Sequence, residues 1–231
     1  MSEKYGLIFD MDGVIADTEP PTAQATIRTF DELFGVKGVR SKDFEAGVGK
    51  GAEAYIKAAA DVHGLKLSQE KLQQACKVRE DNFIKIMESS PASAFDGVLK
   101  LMEEALDRHD FKVAVATSSS RRMSEPVLKG AKAPYEKMVY VTGDDVSNKK
   151  PDPEIFLTAA RKMGVEPSSC LVIEDSPGGV QAAKAAGAKC LAVTNTAPAE
   201  KLTEADFIRG SLEEINTEKV IQIINERKVD F

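Results

Sequence analysis

Four carboxylates, a lysine and a run of hydroxyls stand where the chain could use them together. Asp10 and Asp12, separated by Met11 and followed by Gly13, close the apolar run Leu7-Ile8-Phe9. Glu174 and Asp175 close a second run, Leu171-Val172-Ile173. Thr117-Ser118-Ser119-Ser120 follow Val113-Ala114-Val115-Ala116, and Lys150 lies in the loop Asn148-Lys149-Lys150-Pro151. Two acids this close repel each other unless a cation sits between them or one keeps its proton. Mg²⁺ prefers oxygen ligands and retains several waters, which Asp10, Glu174 and Asp175 suit. A carboxylate nucleophile approaching a phosphate needs the same neutralisation, from the metal and from Lys150. Thr117 and N–H groups at the following helix start suit phosphate oxygens. Asp12 can protonate a leaving alkoxide and then deprotonate water. Together these groups are equipped for phosphoryl transfer.

Singly, each has a plainer reading. Thr117 to Ser120 reads as an N-cap run, and Lys149-Lys150 as solvated loop lysines. Glu174-Asp175 reads equally well as charge placed at a helix N-terminus. Their order on successive strand ends joins them. His63 and His109 sit on helices away from those ends, which argues against a His-ligated Zn²⁺.

Positioning these groups takes a parallel sheet. An apolar strand over 7–10 puts Asp10 and Asp12 at its carboxyl end, where open α/β sheets bind ligands. Further strands are expected over 113–117, 138–142, 171–173 and 191–194. Helices are expected over 121–129, from Pro153, over 179–186, and after a Ser211-Leu212-Glu213-Glu214 capping box. Strand–helix alternation of this kind predicts a doubly wound, Rossmann-like α/β core. Between the first and second strands the sequence is helical: 20–34 closed by Gly35, 52–63 closed by Gly64, and a long helix capped by Ser68. A fourth helix, 96–109, carries Leu99, Met102 and Leu106 on one stripe. The expected division is a core of 1–15 and 91–231 and a helical insertion of 16–90.

The 231 residues carry a formal charge of −6, which argues against a nucleic-acid surface. No apolar run approaches the ~20 residues of a membrane span. Met1-Ser2-Glu3-Lys4 lacks the apolar stretch of a signal peptide. Cys76, Cys170 and Cys190, odd in number and far apart, read as buried free thiols of a reducing compartment. The expectation is a cytoplasmic protein, a monomer or weak homodimer, with a small phosphorylated metabolite as its partner.

These motifs resemble the haloacid dehalogenase superfamily, in the branch of β-phosphoglucomutase and sugar-phosphate phosphatases. Asp10-Met11-Asp12-Gly13-Val14-Ile15-Ala16-Asp17-Thr18 matches DxDGxxxDT. Thr117 matches the second motif, Lys150-Pro151-Asp152-Pro153-Glu154-Ile155-Phe156 the third, and Glu174-Asp175-Ser176 the fourth. The resemblance implies Asp10 as nucleophile, Asp12 as general acid/base, and Thr117, Ser118 and Lys150 around the phosphate. It implies Mg²⁺ held by Asp10, the Asp12 carbonyl and Asp175, with Glu174 nearby. It makes the insertion a mobile cap that selects substrates, with Lys50 and Arg79 aligned to residues that meet a distal phosphate. For both, the plainer reading is a solvated helix face. Thr22 stands where mutases and many phosphatases carry a histidine, which favours hydrolysis over the mutase alternative.

Other chemistries fit less well. Halide removal needs no second acid pair, and phosphonoacetaldehyde hydrolysis would need a cap lysine such as Lys50 or Lys57. A receiver-type phospho-switch would be about half this length, without the insertion.

Overall fold

The computed structural model describes residues 4–47 and 51–225. They divide into two compact units, one built from residues up to Asp17 and from Ala92 on, the other from Thr18–Pro91.

The first unit is a six-stranded parallel sheet. Its strands are β1 (Tyr5–Phe9), β2 (Phe111–Ala116), β3 (Val139–Val141), β4 (Cys170–Glu174), β5 (Lys189–Val193) and β6 (Phe207–Arg209), in the order β3-β2-β1-β4-β5-β6. The chain winds outward from β1 to β3 and then returns to lay β4 against the other side of β1. That reversal opens a crevice beyond the carboxyl ends of β1 and β4, where sheets of this kind take ligands. Register fixes what meets there. Phe9 pairs with Ile173, so Asp10 and Glu174 follow in adjacent strands, and Asp10 N–H donates to the Ile173 carbonyl at 3.0 Å.

Both faces of the sheet are covered, which is why its strands read as nearly continuous apolar runs. Ile8, Ala114, Val172 and Cys190 pack on one side with Phe156, Ala159 and Ala183. The last three belong to α6 (Glu154–Met163) and α7 (Pro177–Ala185), while α4 (Val98–Leu106) and α8 (Thr217–Asn225) also pack on the sheet. α5 (Arg121–Gly130) completes this unit and is capped by Ser120. Small residues on α6 and α7 let the helices approach the strands closely.

Two expectations are corrected here. Ser211 does not open the last helix: Asn216 Oδ1 accepts the Lys219 N–H at 2.9 Å, and α8 starts at Thr217. The Ser211–Glu214 stretch instead links β6 to α8. Cys76 is part-exposed, whereas Cys170 and Cys190 are buried.

The second unit holds α1 (Glu19–Phe34), α2 (Ala52–Val62) and α3 (Gln69–Ser89). Gly35 (φ +64°) ends α1, the left-handed Gly64 follows α2, and the Ser68 hydroxyl accepts the Lys71 N–H at the head of α3. Phe30, Phe44, Ile56 and Leu72 form its core. α1 and α3 are also joined by polar contacts, Arg79 to Thr26 and Asn82 to Thr29 and Glu32. No described helix is long and apolar enough to cross a membrane.

Candidate active site

Asp10, Glu174 and Asp175 each bring a carboxylate oxygen to within 4.8 Å of the others, and all three are buried. The Lys150 ammonium lies among them, 2.6 Å from Asp10 Oδ1 and 2.6 Å from Glu174 Oε1. It also sits over the Phe156 ring, 4.8 Å from its centroid, so an apolar floor holds the cation up toward the acids.

Glu174 is fully committed to protein partners. Its Oε2 accepts the Asp175 N–H, the Ser176 N–H (both 2.8 Å) and the Ser176 hydroxyl (2.9 Å), while Oε1 takes Lys150. Ser176 is at the same time the N-cap of α7, accepting the Gly179 N–H at 3.1 Å. Gly179 leaves room for this arrangement, since a methyl there would stand 1.8 Å from Glu174 Oε1. Asp175 accepts from the Thr196 hydroxyl through Oδ2. The β1 loop turns at Gly13 (φ +78°), and a side chain there would collide with Asp175 Oδ2 at 1.9 Å.

The pair from the first motif is divided between two sets of partners. Asp12 Oδ2 accepts from the Ser119 hydroxyl at 2.9 Å and from Thr117 Oγ1 at 3.3 Å. Thr117 is itself fixed by the Ser119 N–H at 3.1 Å. The structure therefore gathers Asp10, Asp12, Thr117, Lys150, Glu174 and Asp175 at one end of the sheet. Ser118 is exposed, and its neighbour Ser119 holds Asp12. A run of four hydroxyls marked the segment, while the turn geometry decides which of them points inward.

Lys50 lies outside the described residues. Arg79 is 4% exposed, which removes the solvated-face reading. Its Nε donates to Thr26 Oγ1 at 3.0 Å, and its guanidinium covers the Tyr55 ring at 4.9 Å. Tyr55 in turn donates to Glu19 Oε2 at 3.0 Å.

Electrostatics describe a site with more negative charge than Lys150 can balance. Burial pushes the Asp10 carboxyl up to about 7, with Lys150 pulling the other way and Glu174 and Asp12 adding to the rise. Burial, Glu174 and Asp10 push Asp175 up to about 9. For Glu174, burial is outweighed by Lys150 and by the N–H groups of Ser176 and Asp175, so its pKa is lowered. Lys150 is held protonated by Asp10 and Glu174 despite its burial. Three carboxylates thus face one ammonium, and a divalent cation would balance them. The donors are all hard oxygens, the set that Mg²⁺ takes.

The sequence profile of the haloacid dehalogenase-like hydrolases matches residues 7–193. Validoxylamine A 7′-phosphate phosphatase of Streptomyces hygroscopicus subsp. limoneus is 33% identical over 208 residues, covering 90% of this chain and 94% of that protein. Fructose-1-phosphate phosphatase YqaB of Escherichia coli is 34% identical over 191 residues, covering 81% and 95%. The chloroplastic protein Suppressor of Quenching 1 of Arabidopsis thaliana is 34% identical over 220 residues, and there this chain spans only 20% of the relative's length. Among solved structures, CbbY from Rhodobacter sphaeroides in complex with xylulose-(1,5)bisphosphate superposes with a TM-score of 0.80. It is 25% identical and covers 92% of this chain and 96% of its own. With that profile spanning most of the chain and relatives a third identical over nearly their whole length, this protein belongs to the haloacid dehalogenase-like hydrolases.

Proposed function

We propose that the protein hydrolyses a phosphate monoester of a small sugar or polyol, with Mg²⁺ as cofactor and an aspartyl-phosphate on Asp10 as intermediate. The observation that carries this reading is the Lys150 ammonium, seated between Asp10 and Glu174 at 2.6 Å from each, beside Asp175. A lysine so placed favours the ionised form of the nucleophile against its burial and offsets charge on the group being transferred.

Asp10, the Asp12 carbonyl and Asp175 would hold the cation. When bound, Mg²⁺ would supply positive charge against the phosphate oxygens and the attacking carboxylate. Asp10 attacks phosphorus as the bond to the ester oxygen breaks, and Asp12 gives its proton to that leaving oxygen. Asp12 then takes a proton from water, whose oxygen attacks phosphorus and releases Asp10 and inorganic phosphate. Thr117 and Ser119 hold one oxygen of Asp12 and so orient the carboxyl group that exchanges the proton. Glu174 acts through Lys150, having spent its own oxygens on Lys150 and the loop into α7. The carbohydrate preference is supported by the activities named for the relatives above, and the helical unit is assigned the selection of substrate.

A phosphate-release screen over sugar, polyol and nucleoside phosphates with Mg²⁺ tests the reading. Turnover is expected on sugar or polyol phosphates, lost in EDTA and lost in Asp10→Asn with the fold intact by circular dichroism. Substantial turnover by that variant would overturn the nucleophile assignment. Full activity in EDTA would overturn the metal assignment.

A further inference from the structure

The loop after β5 supplies two contacts that no motif predicts. Asn195 Nδ2 donates to the Gly13 carbonyl at 2.8 Å, pinning the turn that follows Asp12. Thr196 Oγ1 lies against Asp175, in reach of its Oδ2 and 3.1 Å from its carbonyl oxygen. One loop thus touches the carboxyl-end loops of both β1 and β4, the two strands that flank the crevice. Thr196 also closes the seat from above, since a methyl on Gly13 would meet its Cγ2 at 2.8 Å.

From this geometry we infer that Thr196 is a positioning residue for the cation, acting through Asp175. The inference rests on the reading that Asp175 is a metal ligand. A hydroxyl carries a single proton, so it can donate to one acceptor at a time. Given to Oδ2, that proton fixes the plane of the carboxylate and leaves the other oxygen for the metal. Gly13 leaves the neighbouring space open, because any side chain there would occupy the position of Oδ2. Asp175 is therefore held between a missing side chain and a donated proton. Neither contact involves the substrate, so the effect belongs to metal affinity. Outer partners of metal ligands typically govern affinity by about 10- to 100-fold.

The test compares Thr196→Val, which keeps the shape and removes the donor, with Thr196→Ser, which keeps the donor and removes the methyl. Mg²⁺ binding is measured by calorimetry on each intact protein, and melting is measured in EDTA. The expected result is a Kd raised roughly 10-fold or more in Thr196→Val. Thr196→Ser should stay within about threefold of the parent, since it preserves the donor. Melting in EDTA should be close to the parent for both, because Thr196 is exposed. An unchanged Kd in Thr196→Val would overturn the inference, as would equal weakening in both variants. A valine variant that loses stability in EDTA with its Kd intact would assign Thr196 a merely structural role, also against the inference. Absence of Mg²⁺ binding by the parent protein would instead defeat the underlying reading of Asp175.

Discussion

Replacing Lys150 by alanine separates its structural work from its chemical work. Its ammonium is the counter-charge to two buried acids, with side-chain exposures of 8% for Asp10 and 1% for Glu174. Removing one partner of a buried ion pair costs about 3–5 kcal/mol, because the other charge stays uncompensated. For a chain of this size each kcal/mol shifts Tm by about 2–4 °C, so the metal-free variant should melt roughly 6–20 °C lower. Without Lys150, Asp10 has lost the charge that lowers its pKa, so it keeps its proton to higher pH. The deficit should therefore be smaller at pH 6 than at pH 8. Saturating Mg²⁺ brings positive charge to the same acids and should recover part of the loss in Tm. It should not recover turnover, where loss of a charge aimed at the transferring group is expected to cost about 10²–10³ in kcat. Lys150→Met keeps the stem over Phe156, so it controls for lost packing and should resemble alanine in turnover. Melting in EDTA by circular dichroism and hydrolysis of p-nitrophenyl phosphate provide the two readouts. A drop of less than about 3 °C in EDTA, well under the range expected for a broken buried pair, would refute the charge-balance argument. Turnover within a few-fold of the parent would refute the role in transfer.

Two further predictions follow from the same acids. Burial raises Asp10 to about 7 and Asp175 to about 9, so between the unfolded carboxyl value and those points the folded, metal-free state binds more protons than the unfolded one. The stability tied to these protons is present at low pH and is lost as pH rises through about 7 and then about 9. Because the metal must displace the protons, the rise in Tm given by saturating Mg²⁺ should be larger at pH 8.5 than at pH 6. A Mg²⁺ effect independent of pH, measured by thermal scanning, would count against this. Gly13→Ala forces a side chain into a left-handed backbone at about 1–2 kcal/mol and into the place of Asp175 Oδ2. Both Tm and Mg²⁺ affinity should fall, and calorimetry giving an unchanged Kd would show that Asp175 has room to move.

The sheet and most of the site could be read from residues because each group closes an apolar run, and parallel strands deliver their carboxyl ends to one place. What escaped lies where that logic stops. β6 offers only Phe207-Ile208 before Arg209, whereas β3, equally short, lies in the apolar run Met138-Val139-Tyr140-Val141. Ser211 carries a capping pattern that the chain uses as a connection, because Asn216 sits nearer the amphipathic stretch and takes the exposed N–H. Ser119, Asn195 and Thr196 act through turns, and a hydroxyl or amide in a turn has no periodic neighbour to announce its direction. Arg79 was misjudged for a different reason, its charge outweighing its position. It shares a helix stripe with Leu72, Ala75, Asn82, Phe83 and Ile86, all buried, a spacing that could have set aside the solvated-face reading.

Ala16 forms an antiparallel bridge with Ala94, and Phe95 N–H donates to the Ile15 carbonyl at 2.9 Å. The outgoing and returning strands of the helical unit are therefore stitched together inside the sheet unit, before the chain leaves it and after it comes back. To the sheet, everything between is a closed loop whose ends already meet, so its length barely enters the entropy of folding. Such a junction is modular: residues 18–91 can lengthen, shorten or be exchanged for another fold while the acids beyond β1 and β4 keep their places. On the role proposed for the helical unit, substrate choice would then change by recombination at a single seam, with the bond chemistry hardly touched.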